Sequence, residues 1–178
     1  MPASPSPCAP FIAELDQEAA ATRKLLERLP AGKLAWKPHP KSQTLGQLAY
    51  HVASTPAIVT EMLAQDTLDT AKVDFQARQP QSVEEVRTRF ETGLQGAKAA
   101  LSRWGERDLA TTWRLTGGGK DLMAAPRGAL IRMLVLNHHV HHRGQLTVYL
   151  RMLDVPLPSV YGPSADESPF GPPAAKQP

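Results

Sequence analysis

Apolar residues recur every three or four positions in four stretches of the chain, the period of an amphipathic helix. The first stretch runs from about Phe11 to Leu29 through Leu15, Ala19, Leu25 and Leu26, and Pro30 stops it. The second opens after Thr44, with Gln47 placed to close a capping box, and continues through Leu45, Leu48, Val52, Val59 and Met62. Pro56 falls inside it, where the missing N–H predicts a kink. The third begins near Ser82, again as a capping box with Glu85 three residues on, and carries Val86, Phe90, Leu94, Ala97 and Leu101 to about Trp104. The fourth opens at Pro126, a favourable first-turn residue, and runs to about Leu153, where Asp154 and Pro156 end it. Residues 108–124 lose the helical period. Trp113 and Leu115 precede Thr116-Gly117-Gly118-Gly119, and Leu122-Met123 follow, which predicts a small hairpin or an extended loop. Four amphipathic helices with little strand between them predict an all-α four-helix bundle, with a long crossover connection across 104–125.

Proline sets the limits of this domain. Four of the 17 prolines lie in residues 1–10 and seven in 156–178, so both ends are expected to be irregular and Pro-rich. The expected organisation is an irregular segment 1–10, a helical domain 11–162 and a tail 163–178, mobile from about 164. Composition then removes several classes of function. One cysteine, Cys8, excludes an internal disulfide framework and a Cys-only zinc site, and it is expected to be an inert tail thiol. Twenty Lys and Arg against 17 Asp and Glu leave a net charge of only +3, with no basic stripe, so neither nucleic acid nor membrane is an expected partner. No apolar run spans a membrane, and the start lacks the basic and apolar regions of a signal peptide. With a lone thiol, this points to the cytoplasm.

The histidines carry the chemistry. Four of the six lie within residues 138–142. His138 and His142 are four apart and share one helix face, the spacing by which one helix offers two imidazoles to one metal ion. They fall on a seam with Ile131, Val135, Gln145 and Tyr149, which predicts that the pair points inward. His138/His141 and His139/His142 also share faces, so spacing leaves the choice of pair open. His51, on the second helix and facing partly inward, is the natural third ligand. Three protein nitrogens would leave a position open, as catalytic metals require. His39, between two prolines, is a loop residue. Thr116-Gly117-Gly118-Gly119-Lys120 is not a phosphate loop, because Arg114 and Asp121 stand where that pattern needs Gly and Ser or Thr.

These residues resemble a known family. Trp36-Lys37-Pro38, the run Leu45-Gly46-Gln47-Leu48-Ala49-Tyr50-His51, and above all Asn137-His138-His139-Val140-His141-His142-Arg143-Gly144-Gln145 are similar to the DinB/YfiT-like metal-binding bundle family, over roughly residues 11–162. The resemblance implies up-down-down-up connectivity, a homodimer, and a divalent metal ion (zinc, nickel or iron) on His51, His138 and His142. Some members of that family are transferases using bacillithiol, mycothiol or glutathione, or isomerise maleylpyruvate.

The expected function is therefore a metal-dependent transferase acting with a low-molecular-weight thiol on a small electrophilic substrate. A metal-dependent hydrolase and a non-catalytic, stress-related metal-binding dimer are the alternatives. Catalytic residues are not identified by sequence: no acidic residue lies between Arg127 and Leu153 to act as a general base. Gln145 is a candidate to hold a ligand imidazole, and Arg143 either grips an anionic substrate group or makes an interhelix salt bridge. Tyr149 and Trp36 are expected in the core or the pocket wall.

Overall fold

The computed structural model describes residues 6–171. Four long helices pack on one another. Helix α1 (Ala9–Leu26) and helix α2 (Leu45–Ala64) come first, then helix α3 (Val83–Leu101). The last is a composite of α5 (Arg127–Leu130), a π-helical segment (Ile131–Asn137) and α6 (His138–Met152). Helix α2 packs against both α3 and α6, and α1 against the same two, so α2 and α1 flank the histidine-bearing helix. Leu15, Leu48, Phe90, Leu136, Leu146 and Leu150 fill the space between them.

The caps explain the boundaries. Helix α1 starts two residues before the first periodic position, because Pro10 in its first turn gives up an N–H that would have had no partner. At the start of α2 the capping box closes: Thr44 Oγ1 accepts from Gln47 N (3.1 Å) and Gln47 Oε1 from Thr44 N (2.9 Å). At α3 only half the expected box forms. Ser82 Oγ accepts from Glu85 N (3.1 Å), but the Glu85 carboxylate accepts from Gln81 N (2.7 Å) and Arg78 (2.6 Å) instead. Helix α2 continues past Pro56 to Ala64, at the cost of the bond that residue 56 would have made to the Val52 carbonyl. Helix α6 ends with Asp154 in the left-handed region (φ 56°), while Val155 N closes on the Leu150 carbonyl at 3.0 Å.

The expectation of an all-α chain is corrected by a three-stranded sheet. A short helix, α4 (Glu106–Ala110), leads into β2 (Thr112–Gly117) and β3 (Lys120–Pro126), an antiparallel hairpin. Gly118 and Gly119 form its two-residue turn, both with positive φ (57° and 75°), which glycine adopts without strain. On the other side β2 pairs in parallel with β1 (Thr67–Asp69), so the order is β1-β2-β3. The sheet is tied to the helices by Trp113, which is buried and donates to the Met62 carbonyl (3.0 Å). Arg127 secures the same corner by donating to the Gln65 carbonyl (2.9 Å) and Asp66 (3.0 Å).

Beyond α6 the chain folds back. Asp166 accepts from Leu157 N and pairs with Arg151, and Glu167 accepts from Ser159 N (2.9 Å) and pairs with Arg28 (3.2 Å). The stretch expected to be mobile from 164 is thus held through residue 167. Residues 1–5 and 172–178 of the expected Pro-rich ends lie outside the described residues. Among the described residues no helix is long and apolar enough to cross a membrane.

Candidate metal centre

The buried stripe of α6 is not the predicted seam. Residues His139, Arg143, Leu146 and Leu150 face the core, while His138, His142, Gln145 and Tyr149 stand about 100° away, at its rim. The cause lies upstream. The π-helical segment carries extra residues per turn, so the buried face that holds Ile131 and Val135 passes to His139 and not to His138.

At that rim three imidazoles converge. His51 comes from the middle of α2, and His138 and His142 from successive turns of α6. Their ligand nitrogens all lie within 4.8 Å of one another. The Nε2 atoms of His51 and His138 are 3.0 Å apart, and the His142 ring centroid is 4.4 Å from each of the other two. His142 Nδ1–H donates to Gln145 Oε1 (2.7 Å), which leaves Nε2 as its lone-pair nitrogen. Burial, then the neighbouring histidines, pushes His51 down to about 4. Burial above all also lowers His138 and His142, although the Gln145 bond partly offsets this at His142. At neutral pH all three are therefore uncharged and able to bind a metal.

A metal ion fits this donor set. Two nitrogens on one tetrahedral ion at 2.0–2.1 Å stand about 3.3 Å apart, close to the 3.0 Å observed between His51 and His138. No Asp, Glu or Cys joins the three histidines among the described residues. Three neutral nitrogens suit zinc, nickel or iron better than magnesium or calcium, which take oxygen ligands.

The other two histidines of the run go elsewhere. His141 is exposed on the outer face of α6. His139 is 2% exposed and stacked on Phe90 with ring centroids 6.2 Å apart, a core placement that the predicted seam missed. Thr22 Oγ1 lies 2.9 Å from both the Glu18 carbonyl, to which it can donate, and His139 Nε2. The Val52 backbone, whose carbonyl Pro56 leaves without a helical donor, also approaches the ring, while Nδ1 has no hydrogen-bond partner among the described residues. Burial holds His139 down to about 4.

Arg143 also turns away from the rim. Its guanidinium pairs with the buried Glu18 carboxylate at 2.6 Å, donates to the Glu18 carbonyl (3.0 Å) and lies 5.0 Å from the Tyr161 ring centre. It forms an interhelix ion pair between α6 and α1 and does not face the three clustered histidines. His39, in the loop before α2, accepts from Lys41 N and stands apart from the centre. Cys8 is buried beside the start of α1. Burial, then Asp108 and Glu106, raises its thiol pKa, which keeps it protonated.

A cleft of about 440 Å³ opens beside His142. Leu48 and Val148 line it with Tyr149, whose ring packs edge-on against Trp36 (5.8 Å) and whose hydroxyl donates to the Gln43 carbonyl (3.3 Å). Ser42, Gln43 and Gln145 complete its polar lining. A larger hollow of about 580 Å³ lies between α2 and β1 near Glu61 and Asp69, and it contains none of the histidines.

Comparison with known proteins places this arrangement. The chain is 29% identical over 158 residues to the uncharacterized protein YrdA of Bacillus subtilis (strain 168), covering 88% of this chain and 89% of that one. It is similar to the crystal structure of a DinB-like protein from Bacillus cereus ATCC 10987, with TM-score 0.67 and 25% identity over 85% of this chain and 95% of that one. The DinB-like protein YjoA of Bacillus subtilis shares the fold at TM-score 0.63 and 18% identity, over 82% and 92% of the two chains. Residues 6–174 match the DinB family as a whole, and the chain belongs to that family.

Proposed function

We propose that the protein holds one divalent transition metal ion on His51, His138 and His142 and acts as a transferase joining a low-molecular-weight thiol to a small electrophile. The observation that carries this reading is the convergence of three imidazoles, one of which, His142, borders a cleft. A divalent ion held there supplies Lewis acidity, lowering the pKa of a thiol or water that joins it.

A hydrolase is the weaker reading for a chemical reason. Activating water calls for a group to take its proton, and no carboxylate lines the cleft or joins the triad among the described residues. A thiol, with an ordinary pKa near ~8.5, needs far less help than water. The chain's own residues then do the remaining work. Gln145 fixes the tautomer of His142, and Leu48, Val148 and Tyr149, the last backed by Trp36, form an apolar wall that keeps water from the bound reactants.

The same reading extends to features the resemblance implies: up-down-down-up connectivity of the four long helices, a homodimer, and a cytoplasmic setting. The test is metal analysis of protein purified without a histidine tag, then consumption of an electrophile such as monobromobimane with glutathione, bacillithiol or mycothiol. One equivalent of metal and thiol-dependent turnover that a chelator abolishes is the expected result. Bound metal without turnover under any thiol would favour the non-catalytic alternative, and no metal uptake would remove the reading altogether.

A further inference from the structure

The cleft beside His142 has a chemistry of its own. Among the described residues, apart from His142, no ionisable side chain but the phenol of Tyr149 lines it, and that hydroxyl is committed to the Gln43 carbonyl. The cations nearest in sequence do not reach it: Arg143 is buried in its pair with Glu18, and Lys41 is exposed outside the lining. What the cleft does present is apolar. Val148 is 57% exposed within a concave site, Leu48 forms another part of the lining, and the Tyr149 ring is fixed by Trp36. Three polar side chains remain uncommitted among the described residues, one of them the Gln43 amide. Gln145 spends its Oε1 on His142, which leaves its amide N–H₂, and the Ser42 hydroxyl makes no hydrogen bond to protein.

An apolar wall with a few uncharged polar groups and no formal charge selects its occupant. A carboxylate or ammonium group placed there would lose water and gain no counter-ion, whereas an amide, ketone or hydroxyl would find a partner. We propose that this cleft binds an uncharged, largely apolar molecule with one or two hydrogen-bond acceptors, so that the thiol or electrophile serving the centre is neutral where it meets these walls. This rests on the metal-centre reading for the identity of the site, and charge selection by the walls can be tested apart from it.

The test uses three thiols of one shape: 4-(mercaptomethyl)benzamide, 4-(mercaptomethyl)benzoate and 4-(aminomethyl)benzyl thiol. Each is titrated calorimetrically into the zinc-loaded full chain and into the metal-free chain. The benzamide should bind about tenfold more tightly than either charged probe. The field of a bound cation would favour the benzoate over the amine, but it cannot place the neutral probe first. Val148→Lys, at an exposed position where folding is undemanding, should move the preference toward the benzoate by about tenfold. Equal binding of the three probes, a preference for the benzoate in the unmodified protein, binding of none of them, or an unchanged ranking in Val148→Lys would overturn the proposal. Failure of the chain to take up zinc would sink the metal reading instead, and the ranking in the metal-free chain would still decide the charge preference.

Discussion

Arg143→Met should be among the most damaging single substitutions in this protein. The guanidinium is 2% exposed and the Glu18 side chain that it pairs with lies almost as deep, at 2.6 Å. Removing the cation strands a buried carboxylate, which costs about 3–5 kcal/mol when no partner remains. One partner does remain: the Tyr161 hydroxyl donates to Glu18 Oε2 at 2.5 Å. The lower end, about 3 kcal/mol, is therefore the expected loss. With an unfolding slope of about 2 kcal/mol per molar urea, the midpoint should fall by about 1.5 M. The double variant Glu18→Leu/Arg143→Met removes both charges and should recover most of that loss, because the cost comes from the unpaired charge and not from the absent bond. Arg23→Met is the control. Its pair with Glu91 has the same 2.6 Å separation but is 40% and 48% exposed, so it should cost less than about 1 kcal/mol. Urea unfolding followed by far-UV circular dichroism reads all three. A loss below about 1 kcal/mol for Arg143→Met, or a double variant as unstable as the two single changes added together, would refute the burial argument.

Three further outcomes are expected. Zinc at about 100 times its dissociation constant should stabilise the fold by about 2.7 kcal/mol, a rise of about 5–10 °C in Tm by scanning calorimetry. His51→Ala, His138→Ala and His142→Ala should each remove most of that rise while His141→Ala keeps it, and equal losses from all four would point to a diffuse histidine cluster. Gln145→Leu should weaken zinc binding by about 10–100-fold in a competition titration, because Nδ1–H of His142 loses its acceptor, and an unchanged affinity would discount that hydrogen bond. The metal-free protein should lose stability as pH falls. His51 and His139 sit near 4 when folded, against about 6.5 when unfolded, so between those values the unfolded chain binds more protons. Stability is then complete above about pH 6.5 and drains away toward pH 4, with buried His139 accounting for up to about 3 kcal/mol. A urea midpoint that stays flat from pH 7.5 to 4.5 would contradict this.

The helices were legible because caps and breakers are local. Thr44 with Gln47, Pro30 and Asp154 act on their own turns, and periodicity did the rest. The sheet was not legible for the converse reason. Strand β1 is three residues long, with no alternation to detect, and it exists because Thr67–Asp69 finds the edge of β2, 47 positions further along at each pairing from Thr67↔Arg114 to Asp69↔Thr116. Long-range parallel pairing leaves no mark in a short window. The Gly118-Gly119 turn was visible as a pair of residues free to take positive φ, but the hairpin on which it sits could not be told from a loop.

The histidine run shows the same division within a single helix. Spacing alone allowed His138 with His142, His138 with His141, or His139 with His142, because each pair shares a face. What separates them is which side of α6 is buried, and that depends on residues far away. Glu18 and Thr22 interrupt the apolar stripe of α1 with a carboxylate and a hydroxyl, both buried. A buried carboxylate needs a cation, and the one that reaches it is Arg143; Thr22 pairs with His139. Once Arg143 and His139 are taken up by α1, the 100° step per residue carries His138 and His142 to the flank facing α2, where His51 stands. The polar positions on α1 thus help set the rotation of α6, and the convergence of the three histidines follows from it. This coupling is present in the sequence as two misfit residues in the first helix, Glu18 and Thr22, whose meaning appears only when the helix packed against them is known.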